Sequence, residues 1–220
     1  MDYLAKPQQS LECHSIQALG KLHELVSLLP GLLSPGCEKS VAACVLLHDM
    51  GKVNQAFQNR MRRLAKDVEF DTTMLDETLP DLRHELLSGA FFLFLYPRAL
   101  AEILAIYSHH RKLDISSFDR DLNAVPVFEN APVMELLNKM LSGLGDSAIR
   151  PSLADKIRYI KQPGVLHKLF RSVVNSAADR PPDRDNYIMV KGLLYLSDWF
   201  ASGALDVKTY FRSPVVTSGK

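Results

Sequence analysis

Apolar residues recur at steps of three and four through most of this 220-residue chain, the spacing of amphipathic helices. In "SLECHSIQALGKLHELVSLL", Leu11, His14, Ala18, Leu22, Leu25 and Leu29 fall on one stripe. The prolines and glycines of "PGLLSPG" end that helix. A second helix is predicted from about Glu38 to His48, stopping near Gly51, and a third over 54–66 with Asn54 as its cap. Residues 67–82 are acidic and weakly patterned, and read as a loop. "LRHELLSGAFFLFLY" is helical up to Pro97, and "RALAEILAIYSHH" is an apolar helix ending in two histidines. The stretch over about 111–131 has no sustained period and reads as a second long loop on the surface. Helices follow at about 132–143, at 152–171 with an interruption at Pro163, and at 184–202, the last entered through the turn "DRPPDRD". No segment alternates as a strand would, nothing repeats, and the tail "SPVVTSGK" reads as loosely held. The pattern predicts an all-α fold, one helical bundle with two long loops, spanning 1–220 as a single domain.

Composition narrows the class. With 47% hydrophobic and 23% charged residues, this is the make-up of an ordinary globular protein. A net charge of +1 gives no global basic field, so any attraction to a polyanion has to be local. The three cysteines, Cys13, Cys37 and Cys44, form no C-x-x-C pair and no even framework, which fits a reducing, cytoplasmic setting. Asp2, Lys6 and Glu12 near the start are not those of a signal peptide, and "GAFFLFLY" is too short to span a bilayer.

The chemistry lies in where ionisable groups interrupt apolar helices. Val41 to Leu47 is apolar on every face, so that helix belongs in the core, and it ends in His48 and Asp49. His84 shares a face with Leu87, Ser88, Phe91 and Leu95. His109 and His110 follow Ile103, Ile106 and Tyr107 on the next helix. Asp198 comes one turn after Leu194, beside Trp199, and His14 is on the first apolar stripe. Burying an unpaired carboxylate costs several kcal/mol. A cationic centre explains two carboxylates and five of the seven histidines at once, because neutral imidazoles and ionised carboxylates are ligands for divalent metals. Each piece taken singly has a structural explanation too. His14 fits as a hydrogen-bonded core histidine, "SHH" as cations at a helix C-terminus, and Asp198 as the partner of an arginine. The ordered set His14, His48-Asp49, His84, His109-His110, Asp198 is what is specific.

That set, with "LLHDMGKVNQAFQ", "RHELLSG", "SHH" and "LSDWFAS", resembles the HD-domain metal-dependent phosphohydrolases. The nearest likeness is to the HD nuclease domain of the CRISPR type I helicase–nuclease, over about residues 10–203. The resemblance implies an all-α fold holding one or two divalent ions. One metal would take His14, His48, Asp49 and Asp198; the second would take Asp49, His84, His109 and His110, with Asp49 bridging. It further implies a nuclease that degrades DNA, chiefly single strands, with a metal-activated water, after a crRNA-guided surveillance complex has opened the target. Arg111 stands where a small residue commonly follows the histidine pair, which bears on access to the second metal. No G-x-x-x-x-G-K-[ST] loop occurs, so the ATP-driven helicase is expected either as a separate chain or as a missing domain. Nitrogen-rich ligation favours a transition metal, Mn²⁺, Ni²⁺, Co²⁺ or Fe²⁺, over Mg²⁺, with Zn²⁺ as a further alternative.

Asp49 and Lys52 are the expected catalytic residues. Lys52 reads as a point charge for a substrate phosphate or as a solvated lysine at a helix end. Arg83 reads as a phosphate ligand or as the partner of a carboxylate such as Glu85. The one dense basic run, Arg60, Arg62, Arg63 and Lys66, reads as a track for a strand's backbone or as a solvated helix face. The rival functions are a deoxynucleoside triphosphatase or a cyclic-dinucleotide phosphodiesterase of the same superfamily, and a non-catalytic HD scaffold.

Overall fold

The computed structural model describes residues 3–33, 36–65, 82–110, 124–144, 152–203 and 206–208. Lys66, residues 67–81 of the predicted 67–82 loop, residues 111–123 with Arg111, and the tail at 213–220 lie outside the described residues. The helices among the described residues are α1 (Leu11–Leu28), α2 (Glu38–Leu47), α3 (Gln55–Leu64), α4 (His84–Leu95), α5 (Leu100–Ser108), α6 (Asn130–Ser142), α7 (Ser152–Ile160), α8 (Val165–Asp179) and α9 (Arg184–Ala201). A single 3-10 turn, Met50–Val53, follows α2. The predicted all-α architecture is therefore the observed one.

Local chemistry sets the helix ends. Ser10 Oγ accepts from the Cys13 N–H at 3.1 Å and caps α1, with Glu12 favourably placed in the first turn. Asp183 caps α9 in the same way, accepting from Asn186 N–H at 2.8 Å. The predicted interruption at Pro163 is a full break. Gly164 takes a left-handed φ of 72°, and α8 starts at the next residue. That helix runs on to Asp179, past the predicted end, because Val173 continues the buried stripe of Leu166 and Phe170.

Three expectations need correction. A two-stranded antiparallel hairpin, β1 (Leu4–Lys6) with β2 (Gln9–Ser10), precedes α1, pairing Leu4 with Ser10 and Lys6 with Gln9. It is too short to show alternation, and its open edge is satisfied by Gln58 of α3. The Gln58 amide donates to Leu4 O at 2.9 Å, and its Oε1 accepts from Leu4 N–H at 2.8 Å. Asn54 stands at the cap position of α3, but its side chain does not bond the first turn. Its Oδ1 instead accepts from Val127 N–H at 2.9 Å, and Gln55 N–H donates to Val127 O at 2.7 Å. The end of the predicted second loop is thereby docked, with Phe128 buried against Phe91, and α6 begins at Asn130.

One continuous apolar core runs through the molecule. Every residue from Val41 to Leu47 is buried, so α2 is the central helix that its all-round apolar pattern predicts. Around it α1 packs along α9, α9 against α5, and α5 against α4. Each fully buried Leu or Phe contributes about 1.5–3 kcal/mol of transfer free energy. The α4–α5 seam is closed by Gly89, where a Cβ would run into the Tyr107 ring. No helix among the described residues is long and apolar enough to cross a membrane.

All three cysteines are free. Cys13 is exposed, Cys37 half-buried and Cys44 buried, its Sγ 3.6 Å from the Glu102 carbonyl oxygen. Burial first, and then the Glu102 charge, push the Cys44 thiol well above its ordinary pKa. Titration with a thiol-specific reagent at neutral pH is therefore expected to modify Cys13 quickly, Cys37 more slowly, and Cys44 only after the protein is unfolded.

Candidate metal centre

Five chain segments bring their polar groups to one point. Helix α2 ends on His48, and Asp49 follows at the entry to the 3-10 turn. Helix α4 begins at His84, α5 ends at Ser108 with His109 and His110 next, α1 supplies His14 from its first turns, and α9 supplies Asp198 from its last. His14, His48, Asp49 and His109 are buried; Asp198 is 19% exposed, and so marks the mouth.

Two groups of four form there. The ligand atoms of His14, His48, Asp49 and Asp198 lie within 4.8 Å of one another, as do those of Asp49, His84, His109 and His110. Asp49 belongs to both. Its Oδ2 is 3.3 Å from His14 Nε2 and 3.5 Å from His48 Nε2, while its Oδ1 is 3.2 Å from His84 Nε2 and 3.9 Å from His109 Nε2. His14 Nε2 is also 3.0 Å from Asp198 Oδ1.

Two of the rings are oriented by their own helices. His48 Nδ1 is 2.7 Å from Val45 O, and His109 Nδ1 is 2.6 Å from Ile106 O, each three residues back. Donation from Nδ1–H to those carbonyls leaves Nε2 as the free lone pair facing the centre. Each of these bonds also satisfies a carbonyl of a helix's last turn.

A metal fits these residues. His48 Nε2, Asp49 Oδ1, His84 Nε2 and His109 Nε2 are buried with no hydrogen-bond partner, though the carboxylate and rings stand within ion-pair distance. Buried polar atoms are rarely left so, since each costs about 1–3 kcal/mol. Four orphans aimed at one another make a cation-shaped gap in the bonding. The protonation balance agrees. Burial pushes the Asp49 carboxyl up, but Lys52, His48 and the adjacent His14 and His84 together hold it well below the usual carboxylate range. Burial likewise raises Asp198, and His14 and His48 overcome it. Burial, then the neighbouring His48 and His84, push His109 well below its ordinary value, so it stays a neutral ligand.

Lys52 is no solvated lysine. Only 8% exposed, it donates from Nζ to Asp49 Oδ2 at 2.6 Å, and Gln58 Nε2 pins its carbonyl at 2.7 Å. Arg83 takes the carboxylate-partner alternative, with Nη2 3.3 Å from Glu85 Oε1. Glu85, buried, also lies 3.5 Å from His84 Nδ1. The basic run divides. Arg60 lies 5.3 Å from the Phe57 ring centroid, and that ring stands 6.1 Å from His84, so one aromatic ring separates Arg60 from the centre. Arg62 and Arg63 are half-buried in the last turn of α3, where cations complement the helix dipole, and Arg62 acts on Tyr3.

Two roles escape sequence reading. Lys6, in the hairpin, is near enough to Asp198 and Asp49 to feel both charges, although burial outweighs them and lowers its pKa. Ser88 Oγ accepts from Gly51 N–H at 2.7 Å and ties the His-Asp turn to α4. Ser88 was visible on the His84 face; Lys6 lies in a strand with no pattern of its own.

A helical bundle whose core helix delivers a His-Asp pair to a ring of histidines defines an HD domain. Comparison with known proteins bears this out. The family described as "Cas3, HD domain" matches residues 9–205. Among solved structures, the chain is similar to the CRISPR-associated Cas3 HD domain protein of Methanocaldococcus jannaschii. The two share 20% sequence identity with a TM-score of 0.51, over 90% of this chain and 99% of the other. No curated protein matches in sequence. The chain belongs to the Cas3 HD-domain family. It is thus a CRISPR-associated HD-domain hydrolase, with His/Asp groups able to hold divalent metal.

Proposed function

We propose that this protein is a metal-dependent nuclease acting on DNA, chiefly single-stranded, within CRISPR type I interference. A helicase and a crRNA-guided surveillance complex would supply the opened strand. The observation that carries the reading is the sharing of Asp49 between two four-ligand groups, the design of a two-metal phosphodiesterase.

His14, His48, Asp49 and Asp198 would hold one ion, and Asp49, His84, His109 and His110 the other. Divalent ions in such a pair lower the pKa of water and offset charge gathering on a phosphoryl group. The chain's own contribution is preorganisation. Lys52 keeps Asp49 ionised and fixed. The Val45 and Ile106 carbonyls hold the rings of His48 and His109 in one tautomer, so that neither has to turn on binding. Burial of His14, His48 and Asp49 keeps bulk water from competing, and the partly exposed His84 and Asp198 side leaves the phosphate an approach.

The deciding experiment is a substrate panel with Mn²⁺, Ni²⁺, Co²⁺, Fe²⁺, Mg²⁺ and Zn²⁺ supplied in turn. Hydrolysis of circular single-stranded DNA is expected to exceed that of duplex DNA, RNA, deoxynucleoside triphosphates and cyclic dinucleotides. A preference for free nucleotides, or a protein that binds no metal and hydrolyses nothing, would overturn the proposal.

A further inference from the structure

Most aromatic side chains of the described residues serve the core, but α9 carries some outside it. Tyr195 is 55% exposed and Trp199 36%, and Ile188 on the same helix is 53% exposed. Their burial is not needed by the fold: the core side of α9 is already formed by Val190, Leu193, Leu194, Ser197 and Phe200.

Of these three, Tyr195 falls on the same face as Asp198. At 100° per residue, Tyr187, Lys191, Tyr195 and Asp198 fall within about 80° of one another, a single stripe along the helix. The stripe is about 16 Å long at 1.5 Å per residue. It alternates aromatic and cationic groups and terminates in the carboxylate that marks the mouth of the metal centre. Tyr187 is anchored, its hydroxyl 2.9 Å from Ser108 Oγ at the end of α5. Lys191 Nζ lies 5.9 Å from the Tyr187 ring centroid. Beyond Tyr187 the acidic Asp183 and Asp185 flank Arg184 at the helix start, so the cationic character fades away from the site.

We infer that this face of α9 is a short binding track for single-stranded nucleic acid, with a base stacked on Tyr195 and a backbone phosphate near Lys191. Such a track rests on the nuclease reading and deepens it. Sequence-independent strand binding combines cations along the backbone with aromatic rings under the bases. Here both occur in one stripe, and that stripe leads to the centre where a phosphodiester would be cut. A protein partner would also use exposed tyrosine and tryptophan, but it gives no reason for the lysine between the rings or for the stripe's end at Asp198. The track accounts for both.

The test compares wild type with Tyr195→Ala, Tyr195→Phe and Lys191→Ala. Binding of a fluorescent oligothymidylate is read by anisotropy, and hydrolysis is read on that strand and on bis(p-nitrophenyl) phosphate. Tyr195→Ala is expected to weaken strand binding by roughly tenfold or more, the scale of one stacked base. Its loss on the strand should exceed any loss on the small diester by the same factor. Tyr195→Phe, which keeps the ring, restores binding to within about twofold, and Lys191→Ala flattens the salt dependence of log Kd by about one counterion. Equal strand binding by wild type and Tyr195→Ala, with DNA cleavage intact, overturns the track alone. A wild-type protein that neither binds nor cuts the strand removes the nuclease reading and the track together.

Discussion

Asp49→Asn is expected to eliminate DNA hydrolysis, by more than about a thousandfold, the scale on which losing one preorganised electrostatic group acts. The substitution is nearly isosteric and leaves an acceptor for the buried Lys52 ammonium, which Asp49→Ala would strand at a cost of about 3–5 kcal/mol. Far-UV circular dichroism should therefore be unchanged in the asparagine variant. Because Asp49 belongs to both four-residue groups, elemental analysis should find both ions lost together. His110→Ala, which touches one group only, should lose one ion and keep the other. An Asp49→Asn protein that still holds two ions and cuts DNA, free of contaminating nuclease, would show that the carboxylate is not shared.

Gly51→Ala should be nearly as damaging, though alanine is otherwise the mildest of changes. A Cβ on Gly51 would sit on the carbonyl oxygen and backbone of His84. That close approach is what lets the turn after α2 lie against the first residue of α4. Since a backbone cannot swing aside as a side chain can, the two segments must separate, breaking the Gly51 N–H to Ser88 Oγ bond and drawing His84 away from Asp49. Overpacking of this kind costs about 1–3 kcal/mol and more against backbone, which lowers Tm by roughly 2–4 °C per kcal/mol in a domain of this size. The second group of four should bind its ion poorly even where the protein stays folded. Gly20→Ala, on an exposed position of α1 with open space around it, is the control and should be neutral or stabilising by about 1 kcal/mol. A Gly51→Ala variant with wild-type Tm and two tightly held ions would contradict the close approach.

Much of this was legible in the sequence because helical periodicity and buried charge are both local signals. The stripe of α1, the all-apolar α2 and the stops at Pro97 and Pro163 gave the helices. His48, Asp49, His84 and Asp198 stood out because each interrupts an apolar run. What escaped was set by distant partners. The Leu4–Lys6 strand exists because Gln58, more than fifty positions away, supplies its edge with hydrogen bonds. Asn54 is drawn from capping duty by Val127. Lys52 has the same composition and spacing whether it faces water or Asp49, and only the packed turn decides. The arginines of α3 looked like one patch because they are close in sequence, yet on a helix Arg62 and Arg63 diverge by about 100°, and Arg60 shares a face with Arg63 rather than with Arg62.

Helices α2 and α5 both expire at the same point, with His48 and His109 as their final caps. Two macrodipoles thus aim their negative poles inward, beside two ionised carboxylates. The N-terminus of α4 at His84 and the Lys52 ammonium offset part of that charge, and bound cations would offset more of it, so strand binding is expected to tighten with metal. Depleting the ions would then release the strand as well as halt its cleavage.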